Sequence, residues 1–145
     1  MLIAVVNGPN LNLLGTREPE LYGRTTLGEI EQRVRAASAR LDVSLEWVQS
    51  NHEGALVEAV QALSGRAAGA LVNAAALTHT SLALRDALLA VRVPFIEVHL
   101  SNIFAREEAR RQSLLADIAL GVVTGLGARG YELALEALVE RLRDG

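Results

Sequence analysis

The chain alternates short apolar runs with amphipathic stretches, a pattern typical of parallel strands joined by helices. The amphipathic spacing is clearest between Leu27 and Leu41, where apolar residues recur every three or four positions and predict a helix. Thr26 followed by Glu29 predicts a capping box at its start. Further helices are predicted at residues 53–63, 81–91, 106–115 and 131–143. Strands are predicted at residues 2–6, 43–49, 70–73, 95–99 and 117–123.

Five strands that alternate with helices predict an α/β fold, a doubly wound parallel sheet with helices on both faces. Among the few possible strand orders we choose the flavodoxin-like order 2-1-3-4-5. Residues 1–145 are then expected to form a single α/β domain. Ligands of such folds bind beyond the carboxyl ends of the strands. Polar residues follow the predicted strands at these positions: Asn7, Asn10, Asn51, His52, Asn73, His99 and Ser101.

The helix predicted at residues 81–91 is apolar nearly all round, whereas a solvent-facing helix normally has one polar face. Two explanations remain open. The helix is simply buried within this chain, or it packs against the sheet on one side and against another subunit on the other. We favour the second explanation, which predicts a homo-oligomer.

Composition narrows the possible chemistry and partners. The net charge is −3, which argues against a nucleic-acid partner, and no apolar run is long enough to span a membrane. The N-terminus carries no basic leader and the chain has no Cys, so a cytoplasmic protein is expected. All 14 basic residues are arginine, which excludes lysine Schiff bases, and the missing Cys excludes thiol nucleophiles.

The segment between the first strand and the first helix contains two candidate groups. The asparagines of residues 7–12 either bind a ligand or only shape the loop, and taken alone the second explanation is favoured. The longer polar segment that follows contains Arg17 and Tyr22. A cation beside a phenol lowers its pKa and favours a phenolate base, although a surface tyrosine packed over an arginine is commoner.

The histidines are the other candidates. His79 lies at a helix start, where it can donate to a substrate hydroxyl while the neighbouring hydroxyl residues cap the helix. His99 closes a buried strand, and a general acid and a core histidine are equally expected there. Together with His52 they lie on different elements without an i, i+4 pair, so no metal site is expected.

The ordered set of motifs resembles the type II 3-dehydroquinate dehydratases over essentially the whole chain. The motifs that carry the resemblance are NGPNLNLLG at 7–15, REP at 17–19, YG at 22–23, TL at 26–27, QSNHEG at 49–54, THTS at 78–81, RDAL at 85–88, EVHLSN at 97–102, RE at 106–107, GLG at 125–127 and GY at 130–131. Two regions depart from the family pattern. The family usually has Asn-Pro-Gly-Ala-Tyr where residues 73–77 read NAAAL, and often has an aromatic residue and a His where Ala109 and Arg111 stand.

The resemblance implies a hydro-lyase that needs neither a metal nor an organic cofactor. It converts 3-dehydroquinate to 3-dehydroshikimate by anti elimination through an enolate, in the shikimate pathway (aromatic amino acid and chorismate biosynthesis) or in quinate catabolism. Tyr22 is implied as the phenolate base and Arg17 as the cation that keeps it ionised. Asn10 is implied to orient the water or donor at the enolate oxygen, and His99 to protonate the departing hydroxyl.

The resemblance also implies six substrate-binding residues, namely Asn73, His79, Asp86, Leu100, Ser101 and Arg110. Asn73 and the backbone N–H groups of Leu100 and Ser101 would hold the substrate carboxylate, while the histidine and the arginine would grip ring hydroxyls. Asp86 would reach the site of a neighbouring subunit. The family assembles as trimers grouped into a homododecamer.

Two other classes of protein fit the fold. A flavin- or nucleotide-binding protein requires a phosphate loop and stacking aromatics, yet aromatic residues are 3% of the chain. A receiver-like signalling module requires an acidic pocket at the strand ends, whereas asparagines follow the first strand here.

Overall fold

The computed structural model describes residues 1–16, 20 and 23–145. Its sheet is parallel, and the strand order 2-1-3-4-5 confirms the predicted fold class. The strands are β1 (Leu2–Asn7), β2 (Ser44–Gln49), β3 (Gly69–Asn73), β4 (Phe95–His99) and β5 (Gly121–Thr124). The register aligns Asn7 with Gln49 on one side and with Asn73 on the other, so the polar strand ends meet at one edge.

Four α-helices cover the sheet: α1 (Leu27–Arg40), α2 (Glu53–Gln61), α3 (Leu82–Val91) and α4 (Arg129–Asp144). Helices α1 and α4 pack together on one face, and α2 and α3 pack together on the other. Each pair buries its own apolar cluster against the sheet, which confirms the prediction of helices on both faces. Among the described residues, every helix is too short or too polar to cross a lipid bilayer.

The start of α1 illustrates how local sequence sets an element. The hydroxyl of Thr26 accepts the N–H of Glu29 at 3.1 Å, which confirms the Thr26 half of the predicted capping box. The predicted apolar positions Ile30, Val34 and Ala37 are buried, because a spacing of three and four places them on one face.

Two predicted elements are wrong. Residues 106–115 form no α-helix but include the short 3-10 turn Glu108–Arg110. The helix fails because the N–H of Leu114 bonds to Thr78, while the hydroxyl of Ser113 accepts the N–H groups of residues 115 and 116. The fifth strand begins at Gly121 and not at 117, because residues 117–120 form a turn in which Asp117 pairs with Arg85.

Helix α3 buries one face and leaves an apolar face open. Leu84, Ala87 and Leu88 are buried towards the sheet and α2, whereas Leu82 and Leu89 are 62% and 48% exposed. The sheet-facing half of the prediction for this helix is therefore confirmed. Cover by another subunit stays a prediction.

Candidate active site

A cleft opens at the carboxyl edge of the sheet, beyond the ends of β1, β3 and β4. Seven of the predicted site residues line it together: Asn10, Asn73, His79, His99, Leu100, Ser101 and Arg110. Its other described lining residues are Pro9, Leu11, Leu13, Leu14, Ala75, Ala76, Ile103 and Arg106. The described lining contains no Phe, Tyr or Trp and no carboxylate, so it favours neither flavin stacking nor an acidic signalling pocket.

Behind the lining residue Asn73 lies a hydrogen-bonded group of three side chains, called here the amide wall: Asn7, Asn73 and Tyr131. The Tyr131 hydroxyl donates to Asn7 Oδ1 at 2.7 Å and accepts from Asn73 Nδ2 at 2.9 Å. Asn7 Nδ2 donates to the carbonyl of Val48 at 3.0 Å. Tyr131 is fully buried and its ring stacks on Trp47 with centroids 6.1 Å apart, so burial raises the pKa of Tyr131 well above its ordinary value. All three side chains are neutral and hydrogen-bonded.

The amide wall depends on a close approach of two backbones. The N–H of Gly8 donates to the Asn73 carbonyl at 2.8 Å, and a Cβ at Gly8 would lie 2.3 Å from the Ala74 carbonyl oxygen. Asn73 Oδ1 accepts the N–H of Ala75 at 3.2 Å. Ala75 has φ of 53°, a left-handed conformation unusual for alanine, at the position where the family usually has glycine.

Asn10 lies at the mouth of the cleft, also in a left-handed conformation, with φ of 69°. Its N–H donates to Asn51 Oδ1 at 2.9 Å, and Gln49 donates to the same oxygen and to the Gly8 carbonyl at 3.2 Å each. The end of β2 therefore holds the loop that carries Asn10.

Behind another lining residue, His99, lies a second group, called here the acid wall: Glu97, His99 and Ser113. His99 Nε2 is hydrogen-bonded to Glu97 Oε2, and both residues are buried. Ser113 Oγ lies 2.9 and 2.8 Å from the two carboxylate oxygens, to which its single proton can be donated in turn. A fully buried carboxylate requires such partners. Nε2 of His99 is thereby bound to Glu97, which leaves Nδ1 as the ring nitrogen available to a group in the cleft.

The turn after β5 holds the segment that follows β4. The N–H groups of Gly125 and Gly127 donate to the carbonyls of His99 and Leu100 at 3.3 and 3.0 Å. Gly125 has φ of 85°, and a Cβ there would lie 3.0 Å from Asn102. The glycines of the GLG motif thus fix the backbone at residues 99–101.

His79 and Arg110 are each oriented by a neighbour. His79 Nδ1 lies 2.6 Å from the carbonyl of Gln112, which can only accept, so Nδ1 carries a proton. Arg110 Nε donates to Glu107 at 2.6 Å while its side chain lines the cleft.

Three predicted residues are absent from the described lining, for two different reasons. Asp86 is exposed on α3 and does not line it. Arg17 and Tyr22 lie outside the described residues. Within the described part of the chain, no three His, Asp or Glu side chains are grouped closely enough to hold a metal ion.

Sequence reasoning gave no role to four residues at or behind this site: Glu97, Ser113, Tyr131 and Arg106. Three of them, all but Ser113, lie in motifs that carry the family resemblance. A signal existed for Glu97, because residues two apart on a strand share a face and place it beside His99. Ser113 and Tyr131 reach the site from other elements. The periodic spacing of apolar residues, which predicts helices and strands, does not reveal contacts between such separated residues.

The comparisons agree with this geometry. A family model described as Dehydroquinase class II matches residues 1–139. The 3-dehydroquinate dehydratase of Synechococcus sp. is 58% identical over 143 residues, which cover 99% of this chain and 97% of that protein. The protein of the same name from Yersinia pestis is 56% identical over 140 residues, covering 97% and 93%. The crystal structure of the type II dehydroquinase from Propionibacterium acnes matches with a TM-score of 0.91 and 39% identity over 96% of each chain. This chain therefore belongs to the class II dehydroquinase family.

Proposed function

We propose that the chain is a 3-dehydroquinate dehydratase that removes water from 3-dehydroquinate to give 3-dehydroshikimate, reversibly and through an enolate. The observation that carries the proposal is that Asn73 of the amide wall and His99 of the acid wall line one cleft of a class II dehydroquinase fold. A neutral amide wall suits the holding of a substrate, and a histidine paired with a buried carboxylate suits proton transfer.

His99 is the general acid of this proposal. Its bond to Glu97 stabilises the protonated ring and fixes its direction, and Ser113 holds the carboxylate in turn. The ring nitrogen not bonded to Glu97 then delivers a proton to the departing hydroxyl. Elimination leaves that oxygen as water, and the ring takes up a proton before the next turnover.

The substrate carboxylate is held by Asn73 and by the backbone N–H groups of Leu100 and Ser101. The carbonyl of Leu100 is occupied by Gly127, and the carbonyl of Ser101 accepts the Thr124 hydroxyl at 3.0 Å, so the backbone at these residues is fixed. Nδ1 of His79 donates to the Gln112 carbonyl, which leaves Nε2 to bind a ring hydroxyl together with Arg110.

The base is assigned by family resemblance to Tyr22, with Arg17 holding it as phenolate. Enolate stabilisation is the largest requirement of the reaction, because a proton beside a ketone is only weakly acidic. Asn10, held at the mouth of the cleft by Asn51, is placed to orient the water or donor at the enolate oxygen.

We also propose that the chain acts in the cytoplasm as a homododecamer assembled from trimers. The support is the open apolar face of α3, with Leu82 and Leu89 exposed. Asp86 lies exposed on the same helix and is assigned to the site of a neighbouring subunit.

The test is an ultraviolet assay for enone formation from 3-dehydroquinate. Wild type should form the enone, and Tyr22→Phe should lower kcat by roughly two orders of magnitude, the usual effect of losing a general base. Borohydride added with substrate should neither inactivate the enzyme nor add a substrate mass, because the chain has no lysine. Absence of enone would refute the proposed function, and a normal kcat in Tyr22→Phe would move the base to another residue.

A further inference from the structure

We propose that Tyr131 is a positioning residue whose hydroxyl fixes the orientation of the Asn73 amide and so presents an N–H donor to the substrate carboxylate. The inference rests on the proposed function, in which Asn73 holds that carboxylate. Tyr131 itself is fully buried on α4 and does not line the cleft. Its effect on the substrate therefore passes through Asn73.

The direction of the hydrogen bonds is set at one end by Val48. A backbone carbonyl only accepts, so the atom of Asn7 that faces Val48 must be the amide nitrogen. Asn7 Oδ1 then faces Tyr131, and the hydroxyl donates its single proton to that oxygen. What remains on the phenol oxygen is a lone pair, which requires a donor from Asn73.

The hydrogen bond of Ala75, at the other end of this row of bonds, gives the same orientation of the Asn73 amide independently. The N–H of Ala75 only donates, so the atom of Asn73 that faces it must be Oδ1. With Oδ1 bound to Ala75 and one N–H bound to Tyr131, Asn73 has its second N–H left for the cleft. A carboxylate only accepts, and a flipped amide would instead bring an oxygen towards it.

The buried surroundings of the Tyr131 hydroxyl keep it protonated, so that it can donate a hydrogen bond. Tyr131 stacks on Trp47 and packs among buried residues of α4 and the sheet. Because burial raises the pKa of Tyr131 above its ordinary value, the phenol keeps its proton at neutral pH. The bond direction in the amide wall is therefore independent of pH around neutrality.

A double-mutant cycle tests the inference. We would measure kcat and KM for 3-dehydroquinate in wild type, Tyr131→Phe, Asn73→Ala and the double variant. Tyr131→Phe should raise KM about tenfold, the scale of one hydrogen bond to a charged group, with little change in kcat. In the Asn73→Ala background the same change should have no further effect on KM, because the group through which Tyr131 acts is gone.

Val139→Ala is the matched control for general loss of stability. Val139 is buried two turns along the same helix, so the variant should lower Tm while leaving KM unchanged. If Tyr131→Phe does not fold, Asn7→Ala replaces it. Asn7→Ala keeps the phenol but frees its proton to donate to Asn73, which should also raise KM.

The possible results distinguish failure of the inference from failure of the proposed function. An equal rise of KM in both backgrounds, or no rise in folded Tyr131→Phe or Asn7→Ala, would overturn the inference. Wild type that forms no enone would instead overturn the proposed function, whatever the variants do.

Discussion

The amide wall and the acid wall differ in the charge of their side chains and therefore in what each can do for a substrate. In the amide wall, hydrogen bonds link three neutral side chains in a row that runs from the Val48 carbonyl to the Ala75 N–H. In the acid wall a buried carboxylate is hydrogen-bonded by a histidine and a serine, which lowers the free-energy cost of burying its charge. A neutral hydrogen-bonded network fixes a binding group rigidly without reacting, whereas a histidine bound to a buried carboxylate can pass a proton. The comparison teaches that damage to the amide wall should change KM, and damage to the acid wall should change kcat.

The largest expected effect among the supporting residues is that of Glu97→Gln. Glutamine keeps the shape but removes the charge that stabilises protonated His99, so kcat should fall about tenfold or more while KM changes little. Ser113→Ala is the companion variant, and it should have a smaller effect because the carboxylate remains. Steady-state kinetics would measure both. A rise in KM without loss of kcat in Glu97→Gln would contradict the division between the walls.

Gly8→Ala should be the most damaging small change on the amide side. The added Cβ meets the Ala74 carbonyl, so the free energy of unfolding should fall by about 1–3 kcal/mol and KM should rise. Gly54→Ala is the matched control, because Gly54 lies in α2 and its Cβ would meet no atom within 4 Å. That control should be stabilised by about 0.5–1 kcal/mol in denaturant unfolding. Equal stability of the two variants would contradict the close approach.

The amide wall should also set the stability at alkaline pH. The unfolded phenol ionises above about pH 10, whereas native Tyr131 keeps its proton because burial raises its pKa. The native state then binds more protons, so its stability is complete below about pH 10 and falls by roughly 1.4 kcal/mol per unit above it. Denaturant unfolding between pH 9 and 11 should show this slope in wild type. Tyr131→Phe should lose that part of the slope, and an unchanged slope would show that Tyr131 is not the group responsible.

Ala75→Gly should have the smallest effect. Glycine removes the strain of the left-handed alanine but adds entropy to the unfolded chain, so the two terms nearly cancel and stability should change by less than about 1 kcal/mol. The N–H that binds Asn73 is kept, so KM should stay near the wild-type value. A large rise in KM would show that the alanine methyl group itself contributes to the site.

Prediction from the sequence succeeded where the information is local or periodic. The strand β4 and the cap of α1 follow from residues close together in the chain, and seven residues named through the family resemblance lie together in one cleft. It failed for residues 106–115, where long-range bonds to Thr78 and Glu97 replace a helix. Tyr131 was missed because its partners lie 58 and 124 residues away in the sequence.

The division of labour between the walls is tested most directly by kcat and KM of two variants measured side by side, Asn73→Ala and His99→Gln. Asn73→Ala should raise KM about tenfold with kcat nearly unchanged, because it removes a contact made equally before and during reaction. His99→Gln should lower kcat by at least about a hundredfold with little change in KM, because it removes the proton donor. The opposite pattern, with kcat lost in Asn73→Ala and KM raised in His99→Gln, would contradict the account.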